Sequence, residues 1–133
     1  MYFIFDCSQI VLSTISNKLG ISKEDALKIA ACFGGGMWHG ETCGCVVGGL
    51  IALGIKYATT KPNDVDTKNK LLELKNKFEK EFCKKHGSCV CKEILGYNLS
   101  NPHDMQKIQE KKLLEEKCPQ VVIDACNILD KLV

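Results

Sequence analysis

The chain has 133 residues, 45% of them hydrophobic and 26% charged, with a formal net charge of +2. That length predicts one domain over residues 1–133 with a packed core that does not depend on disulfides. The near-neutral balance, and eighteen basic residues that are all lysine, argue against a polyanion partner and against the arginine contacts of sequence-reading nucleic-acid binders.

The elements read as helices throughout, because no segment sustains the two-residue alternation of a strand. The start, Met1-Tyr2-Phe3-Ile4-Phe5-Asp6, lacks a basic n-region and is interrupted by an acid, so no secretory signal and a reducing cytoplasm are expected. A first helix is predicted over Cys7–Leu19. Val11, Ile15 and Leu19 form its inner stripe, Cys7 lies one turn before Val11, and Gly20 closes it. A second helix opens with Ser22 and Asp25 at capping-box spacing and presents Ala26, Ile29, Ala30 and Phe33 inward. Gly34-Gly35-Gly36 stops it.

The third helix is predicted from Thr42 to about Ala58. Gly44, Gly48 and Ala52 put small residues on one face, where another helix, a cofactor or a second copy of the chain can approach closely, so a homodimer is one expectation. The uncharged run from Thr42 to Ile55 falls short of the roughly 20 residues of a membrane span, and no membrane association is expected. Lys61-Pro62-Asn63-Asp64 reads as a turn. A fourth helix over Thr67–Lys85 turns Leu71, Leu74, Phe78 and Phe82 inward, with Glu73–Lys77 and Glu81–Lys85 as four-residue ion pairs. A short helix follows from Ser88 to Leu95, ended by Gly96, and a lysine-rich helix begins at Asn101-Pro102. Pro119 opens the last helix, with Val122, Ala125, Cys126, Leu129 and Val133 as its buried stripe. The expected fold is all-α, a compact single-domain helical bundle of five to seven helices.

Nine cysteines dominate the chemistry. Cys7, Cys43, Cys91 and Cys118 each stand where a helix is predicted to begin. A helix start offers unpaired N–H groups and the positive dipole end, both of which favour a thiolate. Were the four to converge, they would form an electropositive thiolate cage. Cys83 and Cys126 read as core filling, and Cys32 as core beside the glycine run. In the pairs Cys43-Gly44-Cys45 and Cys89-Val90-Cys91, residues two apart on a helix point about 200° apart, so one of each is expected to face the site. That rule relaxes in a frayed first turn. His39 reads as an extra ligand, a proton donor or a surface residue, His86 and His103 as exposed, and Glu41 as a first-turn acid. The glycine run lacks a phosphate-loop pattern and a preceding strand, which argues against a nucleotide site.

The segments Phe33-Gly34-Gly35-Gly36-Met37, Gly40-Glu41-Thr42-Cys43-Gly44, Gly48 and Ala52-Leu53-Gly54-Ile55-Lys56-Tyr57 are distinctive together. With Cys7-Ser8-Gln9 upstream and Cys91-Lys92-Glu93-Ile94-Leu95-Gly96 downstream, the chain resembles the bacterial C-GCAxxG-C-C family, described as redox-active proteins. The resemblance covers nearly the whole chain. It implies a small helical domain whose shared cysteines are, by position, Cys7, Cys43, Cys91 and Cys118. Related cysteine patterns in split-Soret cytochromes are associated with an iron–sulfur site. No C-x-x-C-H motif is present, so covalent haem is not implied. The chain departs from the family pattern at Cys45, where alanine is commoner, and at Trp38-His39. Cys45 and Cys89 therefore stand as extra ligands or disulfide partners.

The first expectation is an iron–sulfur cluster held by Cys7, Cys43, Cys91 and Cys118, with Gly35, Gly36 and Gly44 as cofactor-binding backbone, in an electron carrier or sensor that serves an unidentified redox partner protein. The second is a thiol–disulfide oxidoreductase with Cys43 and Cys91 as the catalytic pair. The third is a zinc-stabilised interaction protein without redox turnover.

Overall fold

A computed structural model describes residues 5–133; the reading of Met1 to Ile4 lies outside them. Eight α-helices follow one another: α1 (Cys7–Leu19), α2 (Lys23–Ile29), α3 (Gly44–Tyr57), α4 (Val65–His86), α5 (Cys91–Leu95), α6 (Pro102–Glu110), α7 (Leu113–Glu116) and α8 (Cys118–Asp130). The fold is all-α, and the helix count exceeds the expected five to seven. The extra helix arises because the lysine-rich segment breaks at Lys112, which takes a left-handed conformation (φ 54°) and separates α6 from α7.

Local chemistry explains the helix ends. Gln9 Oε1 accepts from the Asp6 N–H at 2.8 Å ahead of α1, and Gly20 closes α1 at φ 75°. The Ser22 hydroxyl accepts from the Asp25 N–H at the start of α2, and the Asn101 side chain accepts from the Asp104 N–H at the start of α6. These bonds satisfy donors that a helix start otherwise leaves unpaired. Helix α2 stops at Ile29, four residues short of Phe33. The expected inner face is thereby cut to Ala26 and Ala30, both fully buried, and Ile29 is 46% exposed.

Helix α1 packs on α2, α3 and α8, and α3 also packs on α4 and α8. The glycines of α3 permit this closeness. A Cβ on Gly48 would lie 2.9 Å from the Ser8 carbonyl oxygen of α1, and one on Gly49 would lie 2.4 Å from the Phe78 ring of α4. The Gly48 face is therefore covered from within the chain and is not free for a second copy. Two bonds clamp α2 to α1: the buried Ser8 hydroxyl donates to the Ala30 carbonyl at 2.8 Å, and the half-buried Gln9 Nε2 donates to the Leu27 carbonyl at 2.9 Å.

On α4, Phe78 and Phe82 are fully buried as expected. Its ion pairs differ from the expected ones. Lys75 pairs with Glu79, and Lys85 reaches across to Asp124 of α8 at 3.4 Å. Tertiary position decides here: Asp124 is 5% exposed, so a lysine beside it is drawn to the buried charge.

The buried apolar residues form two clusters. The larger joins α1, α3, α4 and α8; the smaller gathers Cys91, Leu95, Leu99 and Ile108. Between them the segments 41–43 and 89–91 run antiparallel through a single bridge of Thr42 and Val90. No strand forms among the described residues beyond this bridge, and none of their helices is long and apolar enough to cross a membrane.

Candidate functional site: a cavity lined by five cysteines

Cys7, Cys43, Cys45, Cys91 and Cys118 all line one cavity of about 360 Å³. It lies where the two apolar clusters meet, with Cys43 and Cys45 in the larger and Cys91 in the smaller. Ile94, Leu95, Leu99, Val121 and Val122 supply apolar wall. The four cysteines expected at helix starts are found there: Cys7 opens α1, Cys43 caps α3, Cys91 opens α5 and Cys118 opens α8. Cys43 and Cys91 are fixed relative to one another by the short antiparallel pairing. The Cys43 N–H donates to the Cys89 carbonyl at 2.7 Å, and the Cys91 N–H donates to the Glu41 carbonyl at 2.6 Å.

Helix α3 starts at Gly44, because Thr42 is committed to the bridge and Cys43 is extended (φ −52°, ψ 135°). The same pairing holds Val90 extended and delays α5 to Cys91. Glu41 consequently lies outside α3. Its carbonyl serves Cys91 and its carboxylate lies 3.8 Å from Lys92, so it flanks the bridge and is not a first-turn acid.

The glycine run shapes the wall. Gly35, Gly36, Met37 and Trp38 all take left-handed backbone, at φ 59°, 64°, 56° and 58°. Two of the four carry side chains, at a cost of roughly 1–2 kcal/mol each. That strain is held by packing: a Cβ on Gly34 would sit 2.3 Å from the Asp6 Cβ, and one on Gly36 would sit 2.4 Å from the Glu41 nitrogen. Gly35 lines the cavity and directs its N–H at the Cys7 sulfur. Gly36 instead forms the turn, accepting from the Glu41 N–H at 3.1 Å. Gly44 is required by sulfur, since a Cβ there would lie 2.5 Å from Cys7 Sγ.

The electrostatics single out Cys7. The thiols of Cys43 and Cys45 donate to its sulfur, the N–H groups of Gly35 and Ser8 add to them, and together they hold Cys7 well below the usual thiol range against the opposing effect of burial. Its partners move the other way. Cys45 is raised because it donates to Cys43 and Cys7 and is fully buried. Cys43 gains from the Cys45 thiol, but its own donation to Cys7, its burial and the Cys7 charge outweigh that and raise it. Burial, followed by the charge on Cys7, pushes both Cys91 and Cys118 up to about 12. The expected cage is thus uneven: Cys7 is lowered, whereas Cys43, Cys91 and Cys118 are raised. A helix start cannot offset removal from water at three of the four positions.

Among the described residues, no group of three or more His, Cys, Asp or Glu is gathered closely enough to hold one metal ion. A zinc–sulfur bond of about 2.3 Å requires tetrahedral sulfurs within about 4 Å of each other. Here the five sulfur-bearing residues line the wall of a cavity instead.

The remaining cysteines and histidines divide cleanly. Cys83, expected as core filling, is bonded to Cys89 in a disulfide with a Cα–Cα separation of 5.1 Å. Cys32 is exposed and Cys126 half-buried. His39 and His103 are exposed. His86, expected at the surface, is only 11% exposed, lies 3.2 Å from Asp124 and packs on the Phe82 ring. Cys45 is the cavity cysteine that helix geometry alone would have turned away. It faces in because Cys43 is still non-helical, so the pair straddles the helix start. Trp38 is likewise a cavity residue; it is 50% exposed, and its side chain partly offsets the rise that burial and Cys7 impose on the Asp6 pKa.

The family model described as "Putative redox-active protein (C_GCAxxG_C_C)" matches residues 5–132. No curated protein and no solved structure matches the chain.

Proposed function

The chain belongs to the C_GCAxxG_C_C family of redox-active proteins, and on that premise we propose that its five-cysteine cavity holds an iron–sulfur cluster in an electron carrier or sensor. One observation carries the reading: five cysteines from four separate segments converge on one apolar cavity. The donor set fits, since such clusters take four thiolates from the protein. Cys7, Cys43, Cys91 and Cys118 are the proposed ligands, and Cys45 stands beside them. A bound cluster supplies one-electron oxidation and reduction.

The chain's own residues do the rest. Cys7 is the cysteine whose thiolate is most favoured, because the Cys43 and Cys45 thiols and the Gly35 and Ser8 N–H groups lower its pKa against the effect of burial. Cys43, Cys91 and Cys118 must each release a proton to become ligands, so loading is favoured by higher pH. Ile94, Leu95, Leu99, Val121 and Val122 give the site a mostly apolar wall. Phe5, Trp38 and Ile123 line the cavity and are 41%, 50% and 51% exposed; this rim is where a redox partner protein would approach. Seven free cysteines suit a reducing compartment such as the cytoplasm.

Anaerobic purification tests the proposal. Brown protein containing iron and acid-labile sulfide is the expected result. Colourless, metal-free protein after anaerobic reconstitution would overturn it.

A second reading has its own support in the lowered pKa of Cys7. It is a thiol–disulfide exchange in which Cys7 attacks a substrate disulfide and Cys43 or Cys45 resolves the mixed disulfide. In that exchange the substrate gains two electrons and two protons, and the chain loses two hydrogens in mass. The thiolate would be Cys7, because Cys43 and Cys91 are both raised. No observation favours zinc.

A further inference from the structure

The Cys83–Cys89 disulfide lies outside the cavity, and neither residue lines it. It joins the last turn of α4 to the loop that leads into α5. The loop's next contacts belong to the site. The carbonyl of Cys89 itself accepts from the Cys43 N–H, Val90 pairs with Thr42, and the Cys91 N–H donates to the Glu41 carbonyl. One cross-linked cysteine is therefore directly bonded through its backbone to one cavity cysteine and stands two residues from another. Both Cys83 and Cys89 are half-buried, so a reductant can reach the bond.

We propose that Cys83–Cys89 is a second redox site, a thiol–disulfide couple that takes a dithiol reductant and, through the 89–91 segment, sets how firmly Cys43 and Cys91 are held at the cavity. A thiolate of the dithiol attacks one sulfur, the Cys83–Cys89 bond breaks and a mixed disulfide forms. The second thiol of the reductant then resolves it. Two electrons and two protons pass to Cys83 and Cys89, and the reductant leaves as its own disulfide. Reduction severs the covalent tie between α4 and the loop. The 89–91 segment then keeps one antiparallel bridge, made of two backbone hydrogen bonds, and the packing of Cys89 on the larger cluster; a bridge this short is a contact of the kind that opens locally. The proposal is independent of what the cavity holds.

The test uses the full chain in buffers of graded dithiothreitol, with differential alkylation, peptide mapping and amide hydrogen exchange. Cys83 and Cys89 are expected to become alkylatable together in one step. The amides of Cys43 and Cys91 should then exchange at least about tenfold faster. The variant Cys83→Ser/Cys89→Ser should show that faster exchange in oxidising and reducing buffer alike. Three results would overturn the proposal. One is Cys83 and Cys89 found as thiols in the most oxidising buffer. Another is exchange at Cys43 and Cys91 that reduction of the wild-type chain leaves unchanged. The third is a folded double variant that exchanges as slowly as the oxidised chain. The wild-type measurement stands alone if the variant does not fold.

Discussion

Gly48 and Gly54 lie on the same helix, yet an added methyl meets opposite surroundings. At Gly48 it would press on the Ser8 carbonyl at 2.9 Å, whereas at Gly54 nothing lies within 4 Å. Gly48→Ala should destabilise the fold by about 1–3 kcal/mol through overpacking. Gly54→Ala should stabilise it by up to about 1 kcal/mol, the helix-propensity difference. Equal thermal melting of the two variants would contradict the described packing of α1 on α3. Cys7 makes the second residue-level prediction. In metal-free protein, the pH midpoint of its alkylation should lie below the roughly 8.5 of a free cysteine, and Cys43→Ala/Cys45→Ala should move that midpoint upward. A midpoint unmoved by the double change would mean that the two thiols do not stabilise the Cys7 thiolate. Helix starts at Cys7 and Cys118 are legible in sequence because Asp6 and Pro119 act locally. The protonation of those sulfurs is not legible, because it depends on burial between two clusters remote in the chain.

At the scale of elements, α4 and α8 meet through a buried charge. Asp124 of α8 faces His86 and Lys85 of α4, and the Gln120 side chain donates to it at 2.9 Å. Burial lowers the His86 pKa, Lys85 and Lys117 lower it further, and Asp124 only partly restores it. The unfolded chain therefore binds the proton more readily. His86 contributes stability that is present in full above its unfolded pKa near 6.5 and is lost as pH falls through that value towards the lower folded one. Thermal melting between pH 7.5 and 5.5 should fall less steeply in His86→Asn than in the wild type; identical slopes would remove His86 from the account. This contact could not be read from the α4 sequence, where His86-Gly87 looks like an ordinary exposed terminus. Helix α1 was legible to its last residue, since its stripe and its closing glycine agree. The break at Lys112 and the left-handed run from Gly35 to Trp38 were not, because packing forces non-glycine residues into a backbone they do not prefer.

The whole molecule brings Cys7, Cys43, Cys45, Cys91 and Cys118 to one place by setting two apolar clusters edge to edge, with a two-segment antiparallel pairing as the joint. Four of the five were legible as helix starts. Their convergence was not, because no periodicity within the chain relates Cys7 to Cys118. Cys45 and the Cys83–Cys89 disulfide escaped a helical reading for the same reason: each depends on a segment that leaves the helix at a cysteine. The most direct test of the central claim is iron and acid-labile sulfide content measured across single cysteine-to-alanine variants of anaerobically purified protein. Cys7→Ala, Cys43→Ala, Cys91→Ala and Cys118→Ala should each lose most of both, while Cys32→Ala and Cys126→Ala keep the wild-type content. Content that is the same in all six variants would contradict a site built from the cavity cysteines.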